Sequence, residues 1–282
     1  MPSSTSDPDD HRAKRQSGFA LIIVLWALVL LGLLIGAITA GGGGELRIAG
    51  NIRTNAAAAA AADGAVAAAI FHFSDPDSRR RWQADGAPHL VTIGQSQVTI
   101  RLWDQGGEVN PNRAGEPLLT ALLRAVGAGP QQAAAIAAAM VAWRAPLPAD
   151  WNRGGSNADY RAAGLDYGPP AAPFETLDEI GRVLGMTPAL LQALEPHLSL
   201  VAPEDVPRSD LADPVVRDAL RSLGLVPSTG PLQPAGDQRR YGLVVETRAK
   251  GPGGAEAGRR VALTVGGGAP AGYAVRTWTG LD

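Results

Sequence analysis

The sequence predicts an α+β protein: one long N-terminal helix, an antiparallel sheet, and a large helical segment inserted between the sheet's strands. Three observations carry this. An uncharged apolar run from Phe19 to Gly44 passes into an Ala-rich helical pattern that ends near Phe73. Strand-like alternation occurs twice, at His89–Asp104 and again from Tyr241 onward. Between those two stretches, Glu108 to about Leu225 has helical spacing and contains an internal repeat.

The apolar run Ala20–Ala40 is dominated by Leu, Ile, Val and Ala. With its flanks it covers about 26 residues, enough at about 1.5 Å rise per residue to cross a hydrocarbon core of roughly 30 Å as a helix. Arg12, Lys14 and Arg15 precede it. By the positive-inside tendency they keep the N-terminus cytoplasmic and place everything from Glu45 onward across the membrane. The polar stretch Met1–Gln16 reads as unstructured. A secretory signal peptide has a shorter apolar core and small residues at its cleavage site; a plain signal anchor fits the length.

After this run, Gly41–Gly44 predicts a weak or melted stretch, since Gly costs a helix about 1 kcal/mol per residue relative to Ala. It reads as a linker or hinge. Helix signals resume at Glu45, with Leu46, Ile48, Ile52, Ala56–Ala62, Val66 and Ile70 apolar and Asn51, Arg53 and Asn55 polar. Asp75-Pro76-Asp77 ends the helix by turn chemistry.

Leu90–Ile93 and Gln97–Trp103 flank Gly94-Gln95-Ser96, which predicts a hairpin. Asp104–Gly107 ends it. A second hairpin is expected from Tyr241–Ala249 and Arg259–Val265 across a turn at Gly251–Gly258, with Tyr273–Trp278 as a further strand. One antiparallel sheet packed on the long helix follows from these.

The repeat in the insertion aligns Glu116-Pro117-Leu118-Leu119 and Leu123–Gly127 with Asp213-Pro214-Val215-Val216 and Leu220–Gly224. Acid and Pro suit a helix N-terminus, and Gly suits the position after its end. Phe174–Leu194 holds a looser relative in which Thr187-Pro188 opens a helix.

The N-terminal pattern also carries a resemblance. Arg15-Gln16-Ser17-Gly18-Phe19 followed by an unbroken apolar helix resembles the class III leader of type IV pilins and type II secretion pseudopilins. The resemblance implies cleavage between Gly18 and Phe19 by a prepilin peptidase and N-methylation of Phe19. Major pilins carry Glu at the fifth mature position, which here is Ile23. That carboxylate is costly in an apolar bundle unless paired, and in the family it pairs with a neighbouring subunit's amine. Its absence is the habit of the K-type minor pseudopilin of type II secretion.

The order of long helix, hairpin, two-part insertion and returning strands is similar to that same pseudopilin. So are Val109-Asn110-Pro111-Asn112 and the stretches Ala172–Glu179 and Gly185–Pro188. The resemblance implies a pilin-like sheet and a SAM-like helical domain. The expected segments are a leader at 1–18, a transmembrane helix at 19–40, a periplasmic helix with the first strands at 41–104, the insertion at 105–226 and the last strands at 227–282. The implied protein lies in the inner membrane as a single-pass chain, periplasmic in bulk. Its implied partners are I- and J-type minor pseudopilins, other pseudopilus subunits and the prepilin peptidase.

Relatives in this family hold Ca²⁺ in the insertion, on acids after a Trp-Arg-Asp-like segment. Here the segment reads Ala142-Trp143-Arg144-Ala145, leaving Asp150, Asp159 and Asp166 as candidate ligands; solvated loop acids are the other reading, because Ca²⁺ takes about six to eight oxygens.

Helix hairpins also suggest a membrane-anchored DNA receptor of the competence type, with Val126–Gly129 as one hairpin. Arg101–Leu200 holds about 7 basic residues, all Arg, against about 10 acidic ones, a balance that repels phosphate, so no nucleic-acid partner is expected. Nor is catalysis: His11, His72, His89 and His197 are scattered, Cys is absent, and Ser96 and Ser156 lack a nucleophile-elbow context. Asp178 and Glu179 fit a first helical turn, where they stabilise the dipole. Trp82, Trp103, Trp143, Trp151 and Trp278 read as packing residues, and Trp26 as a lipid or helix contact.

Overall fold

The structure is a computed structural model that describes residues 10–145, 154–225, 240–267 and 271–281. It divides after Ala57 into two units. Helix α1 covers Asp10–Phe73, 64 residues. It is continuous through Gly41–Gly44, against the expected melted stretch, and it already includes residues 10–16, where an unstructured leader was expected. Both differences share a physical reason. Nucleation is the costly step of helix formation, and extending a helix already formed needs only propagation. Ala13, Lys14, Arg15 and Gln16 are good helix formers, and the glycines have formed helix on both sides.

Within the first unit, Ala20–Ala37 has a mean hydropathy of 2.9 and none of it is buried. It is long and apolar enough to cross a membrane. Ile48–Phe73 passes the same length test, but a third of it is buried. Its buried side is a stripe of small residues, Ala58, Ala61, Ala62, Ala65, Val66 and Ala69. The spacing is that of one helix face, and the missing bulk lets a sheet approach closely.

That sheet holds β1 (His89–Ile93), β2 (Ser96–Asp104), β3 (Tyr241–Lys250), β4 (Glu256–Val265) and β5 (Tyr273–Leu281). The order is β1-β2-β3-β4-β5 and every neighbouring pair is antiparallel. Strands from the two ends of the unit meet where β2 pairs with β3, in a register that sets Asp104 opposite Leu243. The second hairpin turn is shorter than expected: β4 begins at Glu256, so the turn is Gly251–Ala255. Val98, Ile100 and Leu102 of β2, Leu243 and Val245 of β3, and Val261 and Leu263 of β4 form one core with the Ala stripe. Two polar ties cross it: the Thr247 hydroxyl donates to the Ala62 carbonyl at 3.0 Å, and Arg259 Nε meets Asp63 Oδ1 at 2.6 Å.

Between β2 and β3 lie α2 (Glu116–Ala125), α3 (Pro130–Arg144), α4 (Asn157–Ala162), α5 (Pro188–Leu194) and α6 (Pro214–Ser222). The repeated motifs are α2 and α6, packed on one another. Asp213 caps α6, accepting from the backbone N–H groups of Val215 and Val216. Gly127 and Gly224 follow the two helices at φ of +105° and +69°, a conformation open to glycine at no Cβ cost. Thr187 caps α5 through the Leu190 N–H. These helices bury a second core that includes Leu119, Leu122, Ile136, Met140, Trp143, Tyr160, Phe174, Ile180 and Leu220.

Candidate functional site

The residues that organise the insertion lie where the chain leaves the sheet. Past the 3-10 turn Gln105–Gly107, Val109 forms a parallel bridge with Leu198. Its N–H donates to His197 O at 2.9 Å, and Ser199 N–H donates to Val109 O at 3.0 Å. Asn110 is buried, and its amide N–H groups donate to Leu200 O at 3.3 Å and Ala202 O at 2.7 Å. Its oxygen accepts from Asn112 N–H at 2.9 Å. Asn112 then clamps the backbone of Phe174: its oxygen accepts from Phe174 N–H at 2.7 Å and its amide donates to Phe174 O at 2.9 Å.

An amide is suited to this clamp because it presents one acceptor and one donor side by side, matching a peptide unit's donor and acceptor. Pro111 adds no backbone donor to satisfy. Arg144, at the end of α3, donates to Pro111 O at 2.6 Å and Ala114 O at 2.7 Å; burial lowers its pKa, with Asp205 opposing the shift. Phe174 itself is fully buried and stacks on Trp143, with centroids 5.8 Å apart and planes 3° from parallel. Tyr160 packs beside them, and its hydroxyl accepts from Leu184 N–H at 2.9 Å. Burial raises that hydroxyl's pKa.

The insertion is tied back to the sheet on the other side. Arg208 meets Asp104 Oδ2 at 3.2 Å and Asp210 at 2.7 Å, and its N–H donates to Gly106 O at 2.7 Å. Gly242 of β3 lies so close to the Val201 carbonyl that any Cβ there would collide with it. From β5, Arg276 donates to Phe174 O at 2.9 Å. It is the extra residue where the β4–β5 register shifts, as Leu263 faces Val275 and Ala262 faces Thr277.

Other sequence candidates have plainer places. Gly18 and Phe19 lie within α1, and Ile23 and Trp26 are exposed on the same helix, at 52% and 65%. Asp159 is taken up in the cap of α4, its Oδ2 accepting from Ser156 N–H at 2.8 Å and from the Ser156 hydroxyl at 2.7 Å. Those hydrogen bonds hold its carboxyl below the usual range. Asp166 is exposed, and Asp150 and Trp151 lie outside the described residues. Among the described residues no three His, Cys, Asp or Glu side chains gather in a way that could hold a metal ion. Asp178 and Glu179 open a 3-10 turn, and Glu179 accepts from Glu175 N–H.

Ser96 is buried in the sheet and Ser156 caps α4. Trp82 is sandwiched between His72 and His89, with centroids 4.3 and 4.0 Å away, and burial lowers the His89 pKa. His197 Nδ1 meets Asp213 Oδ2 at 2.7 Å. Trp278 departs from its expected packing role and is 47% exposed on β5. Val126–Gly129 does join two packed helices, α2 and α3. Arg144, Arg208 and Arg276 are the organising residues that sequence reading missed; each acts on backbone or acids distant in the chain, which no local spacing announces.

A helix apolar enough for a membrane and a five-stranded sheet on an Ala-faced helix segment, with a helical module inserted between β2 and β3, are consistent with a pilin-like architecture with an insertion. The family model described as type II secretion system (T2SS), protein K matches residues 97–203, from the start of β2 through the Asn110–Asn112 clamp to the end of the α5 region. Over those residues, which are under half of its length, the chain is similar to the type II secretion system protein K family. In fold it is similar to a chain of the crystal structure of the GspK-GspI-GspJ complex from the enterotoxigenic Escherichia coli type 2 secretion system. The TM-score is 0.55 at 15% identity, over 86% of this chain and 99% of that one. Comparison with the curated proteins finds no match in sequence.

Proposed function

We propose that the chain is a minor pseudopilin of type II secretion, seated at the tip of a short periplasmic filament and helping to start its assembly. Its role is structural, not catalytic. The observation that carries this reading is the family match over the insertion, in a chain that also has a membrane-capable helix. The tip position follows from two features. A large insertion between β2 and β3 is tolerable where no subunit stacks above, and Ile23 has no carboxylate to offer a subunit ahead.

In this reading, prepilin peptidase cleaves between Gly18 and Phe19, Phe19 is N-methylated, and the helix from Phe19 to Ala40 holds the chain in the inner membrane with its bulk in the periplasm. The insertion, with its repeated α2 and α6, is a SAM-like module. Its partners are the I- and J-type minor pseudopilins, by likeness to the chain from the complex. The test is co-purification of the full chain, in detergent, with the I- and J-type pseudopilins of the same cell. A stoichiometric complex supports the reading, and a chain that elutes alone while those two still associate opposes it.

A further inference from the structure

We propose that Glu108 is a proton-operated latch at the root of the helical insertion, closed while its carboxyl is neutral and loosened when it ionises. Glu108 is the residue through which the chain passes from the 3-10 turn after β2 into the Val109–Leu198 bridge. One carboxyl oxygen, Oε2, is buried with no hydrogen-bond partner among the described residues. The other accepts a long bond, 3.4 Å, from Gln105 Nε2, and the residue's own backbone N–H also favours the charged form.

The groups facing it are themselves acids. Asp104 lies at the end of β2 and Asp213 at the start of α6, and each adds to the negative field at Glu108. Both are committed elsewhere. Asp104 accepts from Gly106 N–H and pairs with Arg208; Asp213 caps α6 and pairs with His197. A third negative charge here therefore meets two like charges, opposed only by the Gln105 amide and its own backbone N–H.

Burial, with those two carboxylates, pushes the Glu108 carboxyl up to about 7. The sign follows directly. The closed state holds a proton that the opened state releases at the ordinary carboxyl value, so stability of the root falls as pH rises from that value through 7 and stays lost above it. The elements joined at this point are β2, the Glu195–His197 turn and α6. Ionisation thus acts on the entry of the insertion and on its last helix at once.

The experiment is hydrogen exchange on the full chain in detergent micelles, corrected for intrinsic rates, read at the Val109 and Ser199 amides that close the bridge. Between pH 5.5 and 8.5 the opening equilibrium should rise by about 30-fold if opening restores an ordinary carboxyl. Glu108→Gln should remove that dependence and protect both amides at pH 8.5 as well as the wild type does at pH 5.5. A Glu108→Gln variant that keeps the wild-type pH profile overturns the proposal. His197→Asn removes the imidazole paired with Asp213 and should keep the rise; a flat profile in that variant assigns the effect to the His197–Asp213 pair and also overturns the proposal.

Discussion

Asn112→Ala tests whether the clamp on Phe174 holds the insertion together. The substitution deletes both side-chain bonds at once, the 2.7 Å acceptance from Phe174 N–H and the 2.9 Å donation to Phe174 O. The two ends fare differently. The Phe174 carbonyl keeps the Arg276 bond at 2.9 Å, so its loss is small. The Phe174 N–H has no other described partner and lies beside a fully buried ring. An orphaned buried donor costs about 1–3 kcal/mol, and a lost neutral bond about 1 kcal/mol.

The expected destabilisation is therefore about 2–3 kcal/mol, large against the total stability of a domain. The assay is urea unfolding of a fragment from Glu45 onward. With an m-value of about 2–3 kcal/mol/M, the midpoint should fall by about 1 M with the slope unchanged. A loss below about 0.5 kcal/mol, the range of ordinary surface substitutions, would refute the reasoning and leave the Trp143–Phe174 stack and the Arg276 bond as the anchors of that stretch of chain.

Three further outcomes follow from the proposed role. Gly18→Val places a branched side chain at the scissile bond and should leave an unprocessed chain, whereas the wild type should begin at methylated Phe19 by mass spectrometry; a mature wild-type chain beginning before Arg15 would favour a plain anchor. Ile23→Glu sets an unpaired carboxylate in an apolar bundle, at a cost of several kcal/mol. Filament initiation should fall while processing persists, and unchanged secretion with the protein spread along filaments would remove the tip assignment. The fragment from Glu45 onward should show no duplex DNA binding at physiological salt; micromolar, salt-sensitive binding would favour the competence-type receptor instead.

The features legible in the sequence are those set by near neighbours. The strands β1 to β4 follow from alternation and turn residues, and α2 and α6 from an acid-Pro start and a closing Gly, because period and capping are decided within a few residues of chain. The apolar run Ala20–Ala37 announces its fitness for a membrane in the same local way. Gly18, Phe19 and Ile23 are legible only as sequence, since the peptidase and neighbouring subunits proposed to act on them are other proteins.

Tertiary structure decided whatever depends on partners far along the chain. The Ala residues of Ala58–Ala69 look like composition until a sheet is laid on them, when their small size becomes the condition for close packing. Val109–Asn112 stands out in the sequence, yet its work is done on Phe174, Leu200 and Ala202, 62 to 92 residues away. Asp159 has the charge of a metal ligand and is spent on a helix cap, and Glu108 is an unremarked acid until folding places it between Asp104 and Asp213. The physical reason is the same in each case: periodicity and capping act through bonds within a turn or two of chain, whereas burial and the field of other charges exist only once distant segments have been brought together.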